Sequence, residues 1–212
     1  MTSRERLVTV ARGGTPDQSP TIGQDALLVP LDRIVATLAS NPDQAVLAVI
    51  PSPLTVALKQ DLDIFNELES DPEAGNQTLD RLVATTQVAI NDALHAGADG
   101  ICYLIEGASP DVSTPMQYGG FFLERDREIL AAITDARFNL IAIAGTSEPY
   151  IDFVSDLPAH AFAWQTESGW TPARVAELRT GALAANHSEA HIQFSNSAFE
   201  QMRHTQEANA KS

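Results

Sequence analysis

The chain has a single cysteine, only two lysines and no apolar run long enough to span a bilayer, and each shortage removes a class of function. With Cys102 alone, neither an intramolecular disulfide framework nor a multi-cysteine metal site can form. Set in an apolar run, Cys102 reads as a small core side chain rather than a reactive thiol. Lys59 and Lys211 join eleven arginines against 28 acidic residues, for a formal net charge of −15. Nucleic acid and anionic membrane both attract basic surfaces, so neither is expected as a partner. A membrane span needs roughly 18 or more apolar residues, and the charged N-terminus is not followed by the apolar stretch of a secretory leader. The chain therefore reads as soluble and cytoplasmic. It contains no Gly-x-Gly-x-x-Gly after its first strand and no Walker A sequence, so nucleotide binding loses its strongest support.

What is present is a repeated strand and helix pattern. Leu82, Val83, Thr86, Ala89, Ile90, Ala93 and Leu94 recur at helical spacing within a helix over 76–95, and Gly97 supplies a left-handed stop. Residues 100–105, Gly-Ile-Cys-Tyr-Leu-Ile, are nearly all apolar, as a parallel strand covered on both faces would be. Similar short runs at 27–29, 45–50, 138–144, 161–164 and 181–186 predict further strands. Helices are expected over 4–12, 32–38, 54–68 in one or two pieces, 115–136, 148–157 and from Thr171-Pro172 to Arg179, with a polar helix and loose tail at the end. The order is βα throughout, which favours a parallel sheet. With 212 residues, one domain suffices. Five or six strands are too few for a closed eight-stranded barrel, which takes about 250 residues.

The order of short motifs then resembles the uroporphyrinogen decarboxylase-like family. The resemblance rests on Arg4-Glu5-Arg6 through Ser19-Pro20, Ser52-Pro53-Leu54-Thr55, Gly97-Ala98-Asp99-Gly100 with Glu106-Gly107-Ala108-Ser109, Asn139 to Gly145, and Ala163-Trp164 through Thr171-Pro172. It covers roughly residues 46–186 and the first twenty. It implies an α/β fold related to the (β/α)8 TIM barrel, shortened or incomplete, with parallel strands. The single domain spans 1–205, and 206–212 form a flexible tail. The ligand cleft lies at the strand C-termini. Decarboxylases of the family need no cofactor, so none is expected. Methyl-transferring relatives hold zinc with histidine and cysteine, but the corresponding strand here reads Ile141-Ala142-Ile143-Ala144-Gly145 and offers no ligand. His187 and His191 are spaced i, i+4 with Glu189 between them, a pattern that reads as a solvated helix face.

Decarboxylation of a polycarboxylate would require a local arginine cluster, and none follows any strand. Asp25 and Asp32 lie in the shortened segment where the family carries its catalytic aspartate, outside any alignable motif. The polar groups at predicted strand exits are Ser52, Thr55, Glu106, Ser109, Thr146, Ser147, Tyr150, Gln165, Glu167 and Asn186, with Tyr118 on the following helix. Glu106 fits a general acid or base if desolvated, and also a hydrogen-bonded structural carboxylate. Ser52 and Thr55 fit either a cleft wall or a helix cap. The expectation is a lyase acting on a tetrapyrrole or other small organic acid with weakened catalysis, or alternatively a non-catalytic ligand-binding or assembly protein on a degenerate barrel. An incomplete barrel leaves strand edges unpaired, which a homodimer would cover.

Overall fold

The computed structural model describes residues 1–145 and 147–207. In chain order the elements are α1 (Ser3–Ala11), β1 (Ala26–Val29), α2 (Ile34–Ser40), β2 (Ala45–Pro51), α3 (Pro53–Lys59), α4 (Ile64–Ser70), α5 (Pro72–His95) and β3 (Gly100–Ile105). Then come α6 (Pro115–Gln117), a π-helical stretch over 118–122, α7 (Leu123–Ala131), β4 (Leu140–Ile143), α8 (Ile151–Val154), β5 (Ala161–Trp164), α9 (Pro172–Ala176), β6 (Ala182–Ala185), β7 (Ile192–Gln193) and α10 (Asn196–Glu207). Gln206 and Glu207, expected in the tail, continue α10, and 208–212 lie outside the described residues. Among the described residues no helix is long and apolar enough to cross a membrane.

All seven strands are parallel, and each pairs with its sequence neighbour, which gives a curled, incomplete TIM-barrel-like sheet. The strand count exceeds the five or six read from the sequence because β7 is two residues long, below the reach of any periodicity. His187 and His191 belong to the turn that delivers it rather than to a helix, and His191 Nδ1 accepts from Leu183 N at 3.2 Å. The seam between β7 and β1 is spliced by the loop ahead of β1. Gln193 N donates to Pro20 O and Ile22 N to Gln193 O, both at 2.9 Å, while Gly23 N donates to Ala26 O at 2.7 Å.

Strand alternation divides the core in two. Val46, Ala48, Ile50, Ile101, Tyr103, Ile105, Ile141 and Ile143 face outward under the helices. Leu47, Val49, Cys102, Leu104 and Leu140 face inward, and the remaining inward positions of β4 to β6 are alanines, together with Ala144 just past the end of β4: Ala142, Ala144, Ala161, Ala163, Ala182 and Ala184. Barrels are ordinarily filled by bulky branched residues, but barrel diameter shrinks with strand number, and here large side chains enter from the two ends instead. Leu7 and Val10 of α1 close the N-terminal end. Ala198, Phe199 and Met202 of α10, with Phe194, fill the C-terminal mouth. Asp99 clamps the first plug: it accepts from Val46 N at 3.0 Å and pairs with Arg4 at 2.9 Å and Arg137 at 3.2 Å. The Gly-Ala-Asp-Gly motif therefore braces the end of the barrel opposite the strand exits.

The helix expected over 115–136 is broken by the π-helical stretch at Gly119-Gly120 and ends at Ala131. That stretch brings Tyr118 inward. The hydroxyls of Tyr103 and Tyr118 donate to Asp126 at 2.6 and 2.8 Å, and all three residues are fully buried. Burial pushes the Asp126 carboxyl up to about 7, against the lowering effect of the two tyrosine hydrogen bonds. The folded state thus binds this proton more tightly than the unfolded chain. Its stabilising effect is complete below the ordinary aspartate value of 3.8 and is lost as pH rises toward about 7. Asp126→Asn stays neutral and should abolish that dependence. Urea unfolding of wild type and variant at pH 4.5 and 7.5 should show the wild-type advantage shrinking by several kcal/mol; a pH-independent difference between the two would refute it.

Candidate functional site

Two residues beyond the last inward side chain, each strand places its next residue on the rim of the mouth. Glu106 follows β3, Gln165 follows β5 and Asn186 follows β6, all on the inward parity. Asn196, at the start of α10, joins them after β7. Gly107 then turns the chain away from the barrel with φ +90°, and a Cβ there would meet Leu58, Val112 and Leu54 at 2.8 to 3.1 Å.

Glu106 is the centre of the rim. Its carboxylate is about one-fifth exposed and pairs with Arg203 of α10 at 3.1 Å and with Lys59 of α3 at 3.6 Å. Its backbone is held from behind. Thr55 Oγ1 accepts from Glu106 N at 2.8 Å and donates to Leu104 O at 3.1 Å, and it lies 2.9 Å from Ser52 Oγ. Ser52 in turn accepts from Thr55 N as the cap of α3, and its own N donates to Leu104 O. Ser52 and Thr55 are fully buried and face the helix layer, so they position the β3 exit rather than line the mouth.

On the other side of the mouth, Asn186 Nδ2 donates to Glu167 at 2.8 and 3.1 Å and to Asn196 Oδ1 at 2.9 Å, while Asn196 Nδ2 donates to Glu167 at 2.8 Å. The Asn196 amide, with Asn186 behind it, holds the Glu167 carboxyl below its usual range. Thr166 also hydrogen-bonds Asn186 Oδ1. This cluster fastens the first turn of α10 to the ends of β5 and β6.

A groove of ≈ 420 Å³ remains between the β3 and β4 exits and α10. Glu106, Ser109, Asp111, Gln165, Glu200 and Arg203 line it, and Gln165 accepts from Gly145 N across its floor at 3.2 Å. Three carboxylates against Arg203 give the groove an excess of acid. Of the residues singled out from the sequence, Glu106, Ser109 and Gln165 meet here, and Asn186 stands across the mouth. Tyr150 instead donates to Ser113 O at 2.5 Å and braces the loop after β3. Tyr118 lies behind the sheet on Asp126, outside the groove. Thr146 lies outside the described residues. Among the described residues no three His, Cys, Asp or Glu side chains converge as a metal site requires.

Sequence reading placed Glu167 beside Gln165 but missed Arg203, Lys59 and Asn196. The available signal was the Ser195 cap followed by Ala198, Phe199 and Met202 at i, i+1 and i+4, an apolar stripe on a helix that reads as polar by composition.

No protein-family model matches the chain, and no curated protein sequence does. Among solved structures, a methyltransferase from Methanosarcina mazei is similar with a TM-score of 0.73 at 14% identity, over 87% of this chain and 82% of that one. At that identity the likeness is one of fold.

The Thr55 hydroxyl carries the geometry of the rim. Thr55→Val leaves Glu106 N–H without its acceptor and should cost about 1–3 kcal/mol, read as a lowered urea midpoint at unchanged slope. An unchanged midpoint would show that the β3 exit is held by other means.

Proposed function

We propose that the chain is a non-catalytic small-molecule-binding protein on a degenerate barrel of the uroporphyrinogen decarboxylase-like kind. The observation that carries this reading is the filled mouth. Phe199 and Met202 cover the C-terminal mouth, the face where a barrel enzyme takes its substrate, and among the described residues the groove beside Glu106 is what stays open at that rim. At ≈ 420 Å³ it falls toward the small end of small-molecule sites. A tetrapyrrole carries several carboxylates and would need several cations, whereas this groove offers Arg203 among Glu106, Asp111 and Glu200, in a chain of net charge −15. The acid excess favours a neutral or cationic ligand.

A proton-transferring lyase is the second reading, favoured by the position of Glu106 at an inward strand exit, where barrel enzymes hold catalytic groups. To act there, the carboxylate would have to give up Arg203 and Lys59. Glu106→Gln separates the two. Under the binding reading, wild type releases no carbon dioxide from uroporphyrinogen, and small amines raise its melting temperature in a saturable way that the variant loses. Carbon dioxide release by wild type that disappears in Glu106→Gln would establish the lyase and overturn the binding reading.

A further inference from the structure

The mouth of the barrel, where α/β barrels take their ligands, is occupied here by the chain's own α10. We infer that α10 is an internal occupant of a ligand compartment, able to leave it while the strands stay paired, and that a small molecule with an apolar body and one cationic group is the chemistry that replaces it.

The helix follows the last strand, so its departure breaks no strand pairing. Its hold is local. Phe199 and Met202 sit fully buried in the inner cluster, and the Met202 sulfur lies 3.5 Å from that of Cys102. Arg203 reaches Glu106 through a guanidinium whose side chain is half exposed, an arrangement that contributes little on a surface. Beneath the helix lie β1 and β2, which it packs against, with Leu28, Leu47 and Val49 facing inward, and Cys102 of β3, so its seat is an apolar floor. The helix presents that floor with a phenyl ring and a thioether, and presents Glu106 with a guanidinium. An apolar cation reproduces both contacts. This extends the ligand-binding reading from the rim groove into the barrel, and its test does not depend on any rim ligand.

Cys102, the sole cysteine, is fully buried beneath Met202, and burial pushes its thiol up, so its alkylation reports the opening of the mouth. In the full chain, iodoacetamide labelling at low urea should depend on urea far less steeply than global unfolding does, because opening exposes only the α10 interface. Arg203→Gln should raise the labelling rate about 3-fold to 10-fold. Glu106→Gln should do the same, and the double variant should add little to either. Phenethylguanidine should bind saturably in calorimetry, and at least 3-fold more tightly to Arg203→Gln, which lacks the competing guanidinium. Labelling that follows global unfolding down to zero urea would show α10 to be a fixed part of the core and overturn the inference, even if rim ligands still bind. Absence of phenethylguanidine binding to Arg203→Gln alongside local opening would overturn the assigned chemistry.

Discussion

The rest of this structure depends on filling an interior whose walls are largely alanine. Seven parallel strands curl around this interior, and on β4 to β6 the inward positions are nearly all methyl groups. Close packing cannot be reached from the walls alone. Leu7 and Val10 supply the missing volume from below, and Phe194, Phe199 and Met202 supply it from above. In the docked state the two terminal helices thus complete the packing of the barrel interior. The same requirement explains Asp99, whose carboxylate ties α1 to the starts of β2 and β3.

That solution sets what the strand exits can do. Glu106 is held by a chain of hydrogen bonds from the Ser52–Thr55 cap and neutralised in space by Arg203 and Lys59. With α10 docked, its reach is limited to a small acidic groove. The rim opposite, built on Asn186, Glu167 and Asn196, is spent on anchoring the helix. The fold likeness to a methyltransferase sits on a chain that carries Ala142 in β4 and Ala144 just past it, side chains that bind no metal and move no proton.

Much of the fold was legible because its signals are local. The apolar runs of β2, β3 and β5, the Ser52-Pro53 and Thr171-Pro172 starts of α3 and α9, and the stop at Gly97, which takes φ +98°, all follow from periodicity and backbone freedom. Three features escaped for physical reasons. β7 is two residues long, and its pairing partner Pro20–Ile22 lies far away in the chain. The helix after β3 breaks into a π-helical stretch, which turns Tyr118 toward a buried carboxylate instead of the mouth. The apolar stripe of α10 is three residues in a polar sequence, and only the cavity it meets gives those three their meaning. At the rim, parity within each strand brought Glu106, Gln165 and Asn186 to the inward face, whereas Ser52 and Thr55 fell one residue or more out of phase and act as braces.

By itself, the sequence determined the parallel βα order, the buried character of Cys102, the acidic balance of the surface and the presence of a carboxylate at the β3 exit, because each depends on neighbours along the chain. Only the tertiary structure decided that a loop splices the barrel's seam, that the Gly-Ala-Asp-Gly aspartate serves the far end, and that the C-terminal helix fills the mouth. Those outcomes depend on volume and on contacts between residues far apart in the chain, such as Cys102 with Met202 and Pro20 with Gln193, which no local pattern encodes.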